Sequence, residues 1–394
     1  MPRICFLFNH DQTHQIAHSL PIALELARHA GVEITLAVTE DAIERRVREI
    51  AGAMLDRCRL VRLTLRSQGS KLAERTLGEL IPARKLLIYR DNLDFFRGFR
   101  ALVVSEKTSL LLRTRYGLDR LKLIHTRHGA GDRAIGFSAE SALFDLVLVS
   151  GAKIARRLET DAGVDPARIR IVGYSKFDLC KDNRAPLPFS DPARPVVLYN
   201  PHPSPRLSSW YRMGPDILEA FYRSDRFNFI FAPHVMMFAR KWTVTINPPA
   251  IRRMRPPPAR FSTAPNMLID LGSKASTDMT YTNMADVYIG DVSSQVYEFL
   301  YRPRPCLFLN AHDTQWRSDP DYAHWRAGPV APARMDIIAA VEQAIATHRD
   351  YLALQREMLA DTFSVTDEPA SARAARAIIA FLTEEGPEPL ESAR

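Results

Sequence analysis

The stretch Gly290-Asp291-Val292-Ser293-Ser294 sets an acid and two adjacent hydroxyls where an apolar run ends and a helix-forming pattern begins. A helix start exposes unpaired N–H groups and the positive end of the helix dipole. Serine there either caps the helix or adds its hydroxyl to a phosphate site. Glu298 follows one turn later, and Arg302-Pro303 leads into the next apolar run. Two histidines stand at comparable points. His128 opens the turn His-Gly-Ala-Gly-Asp, where its imidazole can accept a hydroxyl proton near neutral pH and Gly129 lets the backbone approach a phosphate. The alternative is an ordinary surface or core histidine. His234 follows Pro233, and it either offsets charge on a leaving pyrophosphate or begins a helix with no ligand. His202, in Asn-Pro-His-Pro, reads as structural, and His125 faces away from His128 by the period of a strand and is given no role.

Thr277, Asp278 and Thr280 follow another apolar run, Met267 to Leu271; they reach a base or ribose, or they cap the helix beginning near Met279. Near the start, His10, His14 and His18 lie between the first apolar run and the first helical pattern. His14 and His18 are four apart, which puts them on one face of an α-helix. Without the acid of an HExxH motif that pair is not a zinc site, and His14 is kept as an acceptor contact or part of a solvated face.

These residues need a scaffold that delivers strand ends. Short apolar runs alternate with helical patterns: strands at 4–9, 33–38, 101–105, 121–126, 146–150 and 169–172, with helices at 16–28 and 42–51. After a proline-rich, charged linker at 181–195 the alternation resumes, with strands at 196–200, 227–232, 267–271, 287–290 and 306–310 and a helix at 215–222. Such alternation specifies parallel sheet covered on both faces. The expected organisation is a domain over 1–180, the linker, a second domain over 196–365, and a closing helix and tail over 366–394. Residues 248–265, dense in proline and arginine, are expected to form an exposed basic loop, and 336–360 to form one long helix. Two such α/β halves resemble the GT-B arrangement, two Rossmann-like domains facing across a cleft, in which ligands lie beyond the carboxyl ends of the strands.

Composition narrows the function classes. Of 394 residues, 46% are hydrophobic and 25% charged, as in ordinary globular proteins. The four cysteines show no CxxC pairing and read as buried free thiols of a reducing cytoplasm. No window reaches the ~18 apolar residues that span a bilayer, and the first apolar run is too short for a signal peptide. A net charge of +8 favours anionic partners: a nucleotide, a phosphate-bearing substrate or an anionic membrane surface. Nucleic acid is not expected, because no zinc-finger spacing or RNA-binding aromatic motif is present.

The segment ADVYIGDVSSQVYEFLYRPRPCLFLN (residues 285–310) resembles the Asp-Tyr-Ser-Ser motif of the CDP-glycerol glycerophosphotransferase family, the teichoic-acid primases and polymerases. Four further segments agree in order: LIHTRHGAGDRAIGF (123–137), RIVGYSKFDL (170–179), VVLYNPHPS (196–204) and FIFAPHVMM (229–237). Arg127, Ser175, Ala232 and Val292 replace the tryptophan, proline, arginine and tyrosine of the family pattern. The resemblance implies a GT-B enzyme that moves glycerol phosphate from CDP-glycerol, or a related CDP-alcohol, to a hydroxyl on a lipid or polymer and releases CMP. It implies donor binding by Asp291, Ser293 and Ser294, with Gly129, Thr277 and Asp278 nearby, and catalysis by His128 and His234. It implies neither metal nor cofactor. The lack of a spanning run leads to the expectation of a cytoplasmic location, and the positive charge to that of attachment at the membrane's inner face. A glycosyltransferase or UDP-sugar 2-epimerase on the same fold is the alternative.

Overall fold

A computed structural model describes every residue except Asp11, 71–82, His128, Arg240, Lys241, Asn247, Pro248 and 385–394. The chain forms two compact units, both discontinuous: unit 1 is Met1–His128, Phe137–Leu179 and Thr362–Arg394, and unit 2 is Gly129–Gly136 with Cys180–Asp361.

Unit 1 holds seven strands: β1 (Arg3–Phe8), β2 (Glu33–Val38), β3 (Arg59–Arg62), β4 (Ala101–Val104), β5 (Lys122–Thr126), β6 (Leu146–Val149) and β7 (Ile169–Ile171). All pair in parallel, in the order β3-β2-β1-β4-β5-β6-β7. The period of two divides β1 between two cores. Cys5 and Leu7 pack with Leu102, Val104 and Leu123, while Ile4, Phe6 and Phe8 pack with Leu20, Ile22 and Leu36. The second core is completed from the far end of the chain. Helix Ala370–Glu384 contributes Ala374, Ala375, Ile378 and Leu382, and Asp178 accepts the N–H groups of Ala370 and Ser371 at its start. Burying Ile378 and Leu382 stabilises the unit by roughly 1.5–3 kcal/mol each.

Unit 2 contains β8 (Val196–Asn200), β9 (Asn228–Phe231), a hairpin of β10 (Trp242–Ile246) and β11 (Pro249–Arg253), then β12 (Met267–Ile269), β13 (Val287–Gly290), β14 (Cys306–Asn310) and β15 (Val330–Pro332). Its six-stranded parallel sheet runs β12-β9-β8-β13-β14-β15. Val197, Tyr199, Phe229, Phe231, Ile289 and Leu307 fill one face against helices Trp210–Arg223 and Ile337–Ala346.

Three features depart from the sequence expectations. The basic stretch 248–265 is not a plain loop, since Pro249–Arg253 pairs antiparallel with Trp242–Ile246. A two-stranded ribbon accepts a proline at its end because only one side of each strand is paired. Strands β3 and β15 were unanticipated; both are sheet edges, where arginine or proline is tolerated and the apolar signature is lost. The helix expected over 336–360 is two, Ile337–Ala346 and His348–Thr362, broken at Thr347, whose backbone leaves helical geometry (φ −95°, ψ 4°). Among the described residues no helix is long and apolar enough to cross a membrane.

Candidate functional site

In unit 2 the chain runs from β8 outward through β9 and β12, then returns to the other side of β8 as β13. The strand order reverses between β8 and β13, and in open parallel sheets ligands bind outside the carboxyl ends at that reversal. Asn200 and Gly290 are in register there. Glycine is required at 290, because a Cβ would stand 2.6 Å from the Tyr288 ring. Asn200 ties the strand ends together: its amide donates to the Ala232 carbonyl at 2.6 Å, and its oxygen accepts from Ser293 Oγ at 2.8 Å.

The five-residue Gly290–Ser294 stretch divides its labour. Asp291 is 1% exposed. Its carboxylate accepts the N–H groups of His202 (2.9 Å), Ser209 (2.6 Å) and Val292 (2.7 Å) and the Ser209 hydroxyl (2.8 Å). Burial pushes its pKa up, against the pull of these bonds. A carboxylate so occupied offers a phosphate no donor; it holds the loop after β8. The Ser293 hydroxyl is likewise engaged, donating to Asn200 and accepting from Gln295 N–H. Ser294 is exposed. The helix that follows, Gln295–Phe299, has five residues, so its dipole is small.

The glycine turn lies over Ser294. Gly129 has φ +82°, and a Cβ there would be 3.8 Å from Ser294 Oγ. At Gly131 a Cβ would be 3.2 Å from Ser294 Cβ, tighter than side chains normally pack. The next residue, Asp132, is buried and accepts the Tyr297 hydroxyl at 2.7 Å and His324 Nδ1 at 2.9 Å. Arg133 follows, with Nη1 3.3 Å from His202 Nε2.

His202 and His234 extend from the ends of β8 and β9, their ring centroids 6.3 Å apart. The Pro201 carbonyl accepts the His234 N–H at 3.1 Å, tying the two loops. His202 Nδ1 accepts the Ser204 N–H at 3.0 Å, and His234 Nδ1 accepts the Met236 N–H at 3.3 Å. Burial first, then the charges of Arg133 and His234, lower His202 to a pKa of about 3; burial also lowers His234. Both rings are therefore neutral near pH 7. A neutral imidazole has one acceptor nitrogen and one N–H. With Nδ1 accepting, each Nε2 carries the hydrogen, and His202 Nε2–H faces the Arg133 guanidinium, donor against donor. An anion lying beside the pair, within reach of both N–H groups, would satisfy both.

The remaining sequence candidates lie elsewhere. Thr277 donates to the Lys274 carbonyl, and Asp278 accepts from the N–H and Oγ1 of Thr280, the first residue of helix Thr280–Met284. Their loop touches the helix after Ser294, since Gln295 Nε2 donates to the Ser276 carbonyl at 2.7 Å. In unit 1, His14 is half-buried, but Thr13–His18 is a 3-10 helix. At three residues per turn His14 and His18 do not share a face, contrary to the expectation from α-helical spacing. His18 is buried against Tyr174, with ring centroids 5.2 Å apart. His10 is buried at the end of β1, its Nδ1 3.6 Å from Glu106 Oε1. His128 lies outside the described residues. Sequence reasoning weighed His202 and read it as structural, and it passed over Asn200, Ser209, Asp132, Arg133 and His324. Asp132 and Arg133 were readable as the polar pair closing the glycine turn, whereas His324 sits in the irregular helical segment Pro320–Ala327 with no motif around it.

No protein-family model matches the chain, and no curated protein does. Solved structures do. A variant of the wall teichoic acid polymerase TagF superposes with a TM-score of 0.62 at 13% identity, covering 98% of this chain and 90% of that one. The UDP-GlcNAc 2-epimerase from Neisseria meningitidis, bound to UDP-GlcNAc, gives 0.59 at 14% identity, covering 97% and 100%. The kitacinnamycin glycotransferase gives 0.54 at 14% identity, covering 96% and 99%. Likeness at this identity shows the fold: a two-domain α/β architecture of the GT-B type, with parallel sheets of seven and six strands.

Proposed function

We propose that the chain is a transferase acting on a nucleotide-activated donor, moving glycerol phosphate or a similar alcohol phosphate from a CDP-linked donor to an acceptor hydroxyl in cell-envelope polymer or lipid synthesis. The observation that carries this is the set of hydrogen-bond donors at the reversal of the unit 2 sheet: Arg133, His202 Nε2–H and His234 Nε2–H. Such a set suits a diphosphate, and it stabilises the charge that gathers on the leaving phosphate. Ser294 adds a hydroxyl; Asp291 and Ser293 hold the loops in place. The acceptor oxygen attacks the phosphorus bearing glycerol. A new P–O bond forms, the bond to the CMP oxygen breaks, and the acceptor proton passes to His128, which directly precedes the glycine turn. In-line transfer of this kind depends on positioning and charge stabilisation.

The likeness to TagF, which was solved after a soak with CDPG, supports the CDP-alcohol reading. The likeness to an epimerase bound to UDP-GlcNAc supports a second one, glycosyl transfer or epimerisation of a UDP-sugar on the same diphosphate site. A donor screen separates them. Purified protein with CDP-glycerol and a panel of hydroxyl acceptors is expected to release CMP. Release of UDP from UDP-sugars, or their epimerisation, with CDP-glycerol left intact selects the second reading.

A further inference from the structure

The segment Gly129–Gly136 belongs to unit 2, although the chain enters it from unit 1 and returns to unit 1 at Phe137. A short glycine-containing excursion is costly to order and needs an anchor. Asp132 is that anchor. It is 3% exposed, and its carboxylate accepts the Tyr297 hydroxyl at 2.8 and 2.7 Å, His324 Nδ1 at 2.9 Å and the His324 N–H at 3.2 Å. The other ring nitrogen of His324 contacts the Asp291 carbonyl at 2.9 Å, which also accepts from Trp325 Nε1–H at 2.9 Å. One buried imidazole thus joins the glycine segment to the peptide that carries Asp291. A second tie lies beyond, where Ala134 N–H donates to Asp321 Oδ1 at 2.9 Å.

A buried carboxylate persists only where its hydrogen bonds are made, and withdrawing it strands its partners. Asp132 points inward, while Arg133, the next residue, reaches His202. We infer that Asp132 is a positioning residue of the donor site: it docks the segment so that Gly129–Gly131 run over Ser294 and Arg133 stands beside His202. The inference rests on the phosphate reading of Arg133, His202 and His234.

The test uses the full chain with inorganic pyrophosphate as the probe and two readouts, calorimetric affinity and hydrogen exchange of the peptide spanning 129–136. Asp132→Ala is expected to speed exchange in that peptide at least roughly tenfold, leaving β8 and β13 unchanged. Its pyrophosphate Kd is expected to rise about 10–100-fold, the range for a lost charge-assisted bond, and Arg133→Ala should match it. The double variant should be no weaker than either single one, because Asp132 acts through Arg133. Asp132→Asn, which keeps an oxygen for Tyr297 but sets an N–H against the His324 N–H, should recover only part of the affinity. If Asp132→Ala does not fold, Tyr297→Phe replaces it, with a Kd rise of roughly three- to tenfold and the same non-additivity. Additive losses, or unchanged exchange over 129–136, overturn the inference. A wild-type protein that binds no pyrophosphate overturns the phosphate reading itself, and rapid exchange in Asp132→Ala would then leave only a structural tie.

Discussion

Mild acid should destabilise unit 2 through His202. The ordinary imidazole value is about 6.5, and burial with Arg133 and His234 nearby lowers this one to about 3. The native ring stays neutral between those values while the unfolded chain takes up a proton. The unfolded state then binds more protons, so stability is full above pH 6.5 and falls as the pH falls toward 3. At pH 5 the solution is about 1.5 units below the ring's unfolded pKa, and at 1.36 kcal/mol per unit the loss is about 2 kcal/mol. Carboxylates held below their ordinary values, such as Glu106 and Asp270, act only at lower pH, and the raised Asp291 is common to wild type and a His202 variant, so their difference isolates His202. His234 is lowered too and adds in the same direction. All four tryptophans, 210, 242, 316 and 325, lie in unit 2, so their fluorescence during urea unfolding reports that unit alone. Wild type should lose about 2 kcal/mol more than His202→Gln between pH 7 and 5. Pyrophosphate should shrink the difference, since an anion favours the protonated ring, and its binding should take up protons at pH 6. Identical pH slopes for wild type and His202→Gln would refute the reasoning.

Other outcomes follow from the same geometry. Ser294→Ala should weaken CDP-glycerol binding by about 1.5–3 kcal/mol with an unchanged melting temperature, whereas Ser293→Ala, whose hydroxyl links to Asn200, should cost stability of about 1 kcal/mol. Calorimetry and thermal melts distinguish the two, and the reverse pattern counts against the assignment. Gly131→Val places carbon against Ser294 and should lower donor affinity roughly tenfold or more while exchange in β1–β7 stays as in wild type; unchanged affinity would show that the segment does not border the donor. His128→Ala should cut turnover by roughly 10²–10⁴-fold with donor affinity retained, and His234→Ala should lower both, as steady-state kinetics beside calorimetry will show. Near-normal turnover in His128→Ala would leave the base elsewhere.

Sequence alone determined what is local. Apolar runs such as Cys5–Phe8 and Val287–Ile289 mark strands buried on both faces, because a strand covered on two sides cannot afford polar residues at either parity. The positions of Asp291, Ser293 and Ser294 at a strand-to-helix junction were legible for the same reason. Roles were not. Asp291 and Ser293 turned inward to bind the loop after β8, and only the pairing of β8 with β13 decides that. Strands β3 and β15 and the 3-10 turn at His14 escaped because a singly paired strand and a short helix impose weak periodicity. The docking of Asp132 on Tyr297 and His324, 165 and 192 positions away, and the return of helix Ala370–Glu384 to the first core left no local trace. Their stabilising contacts join residues far apart in the chain, and a local pattern records only what its neighbours must bury.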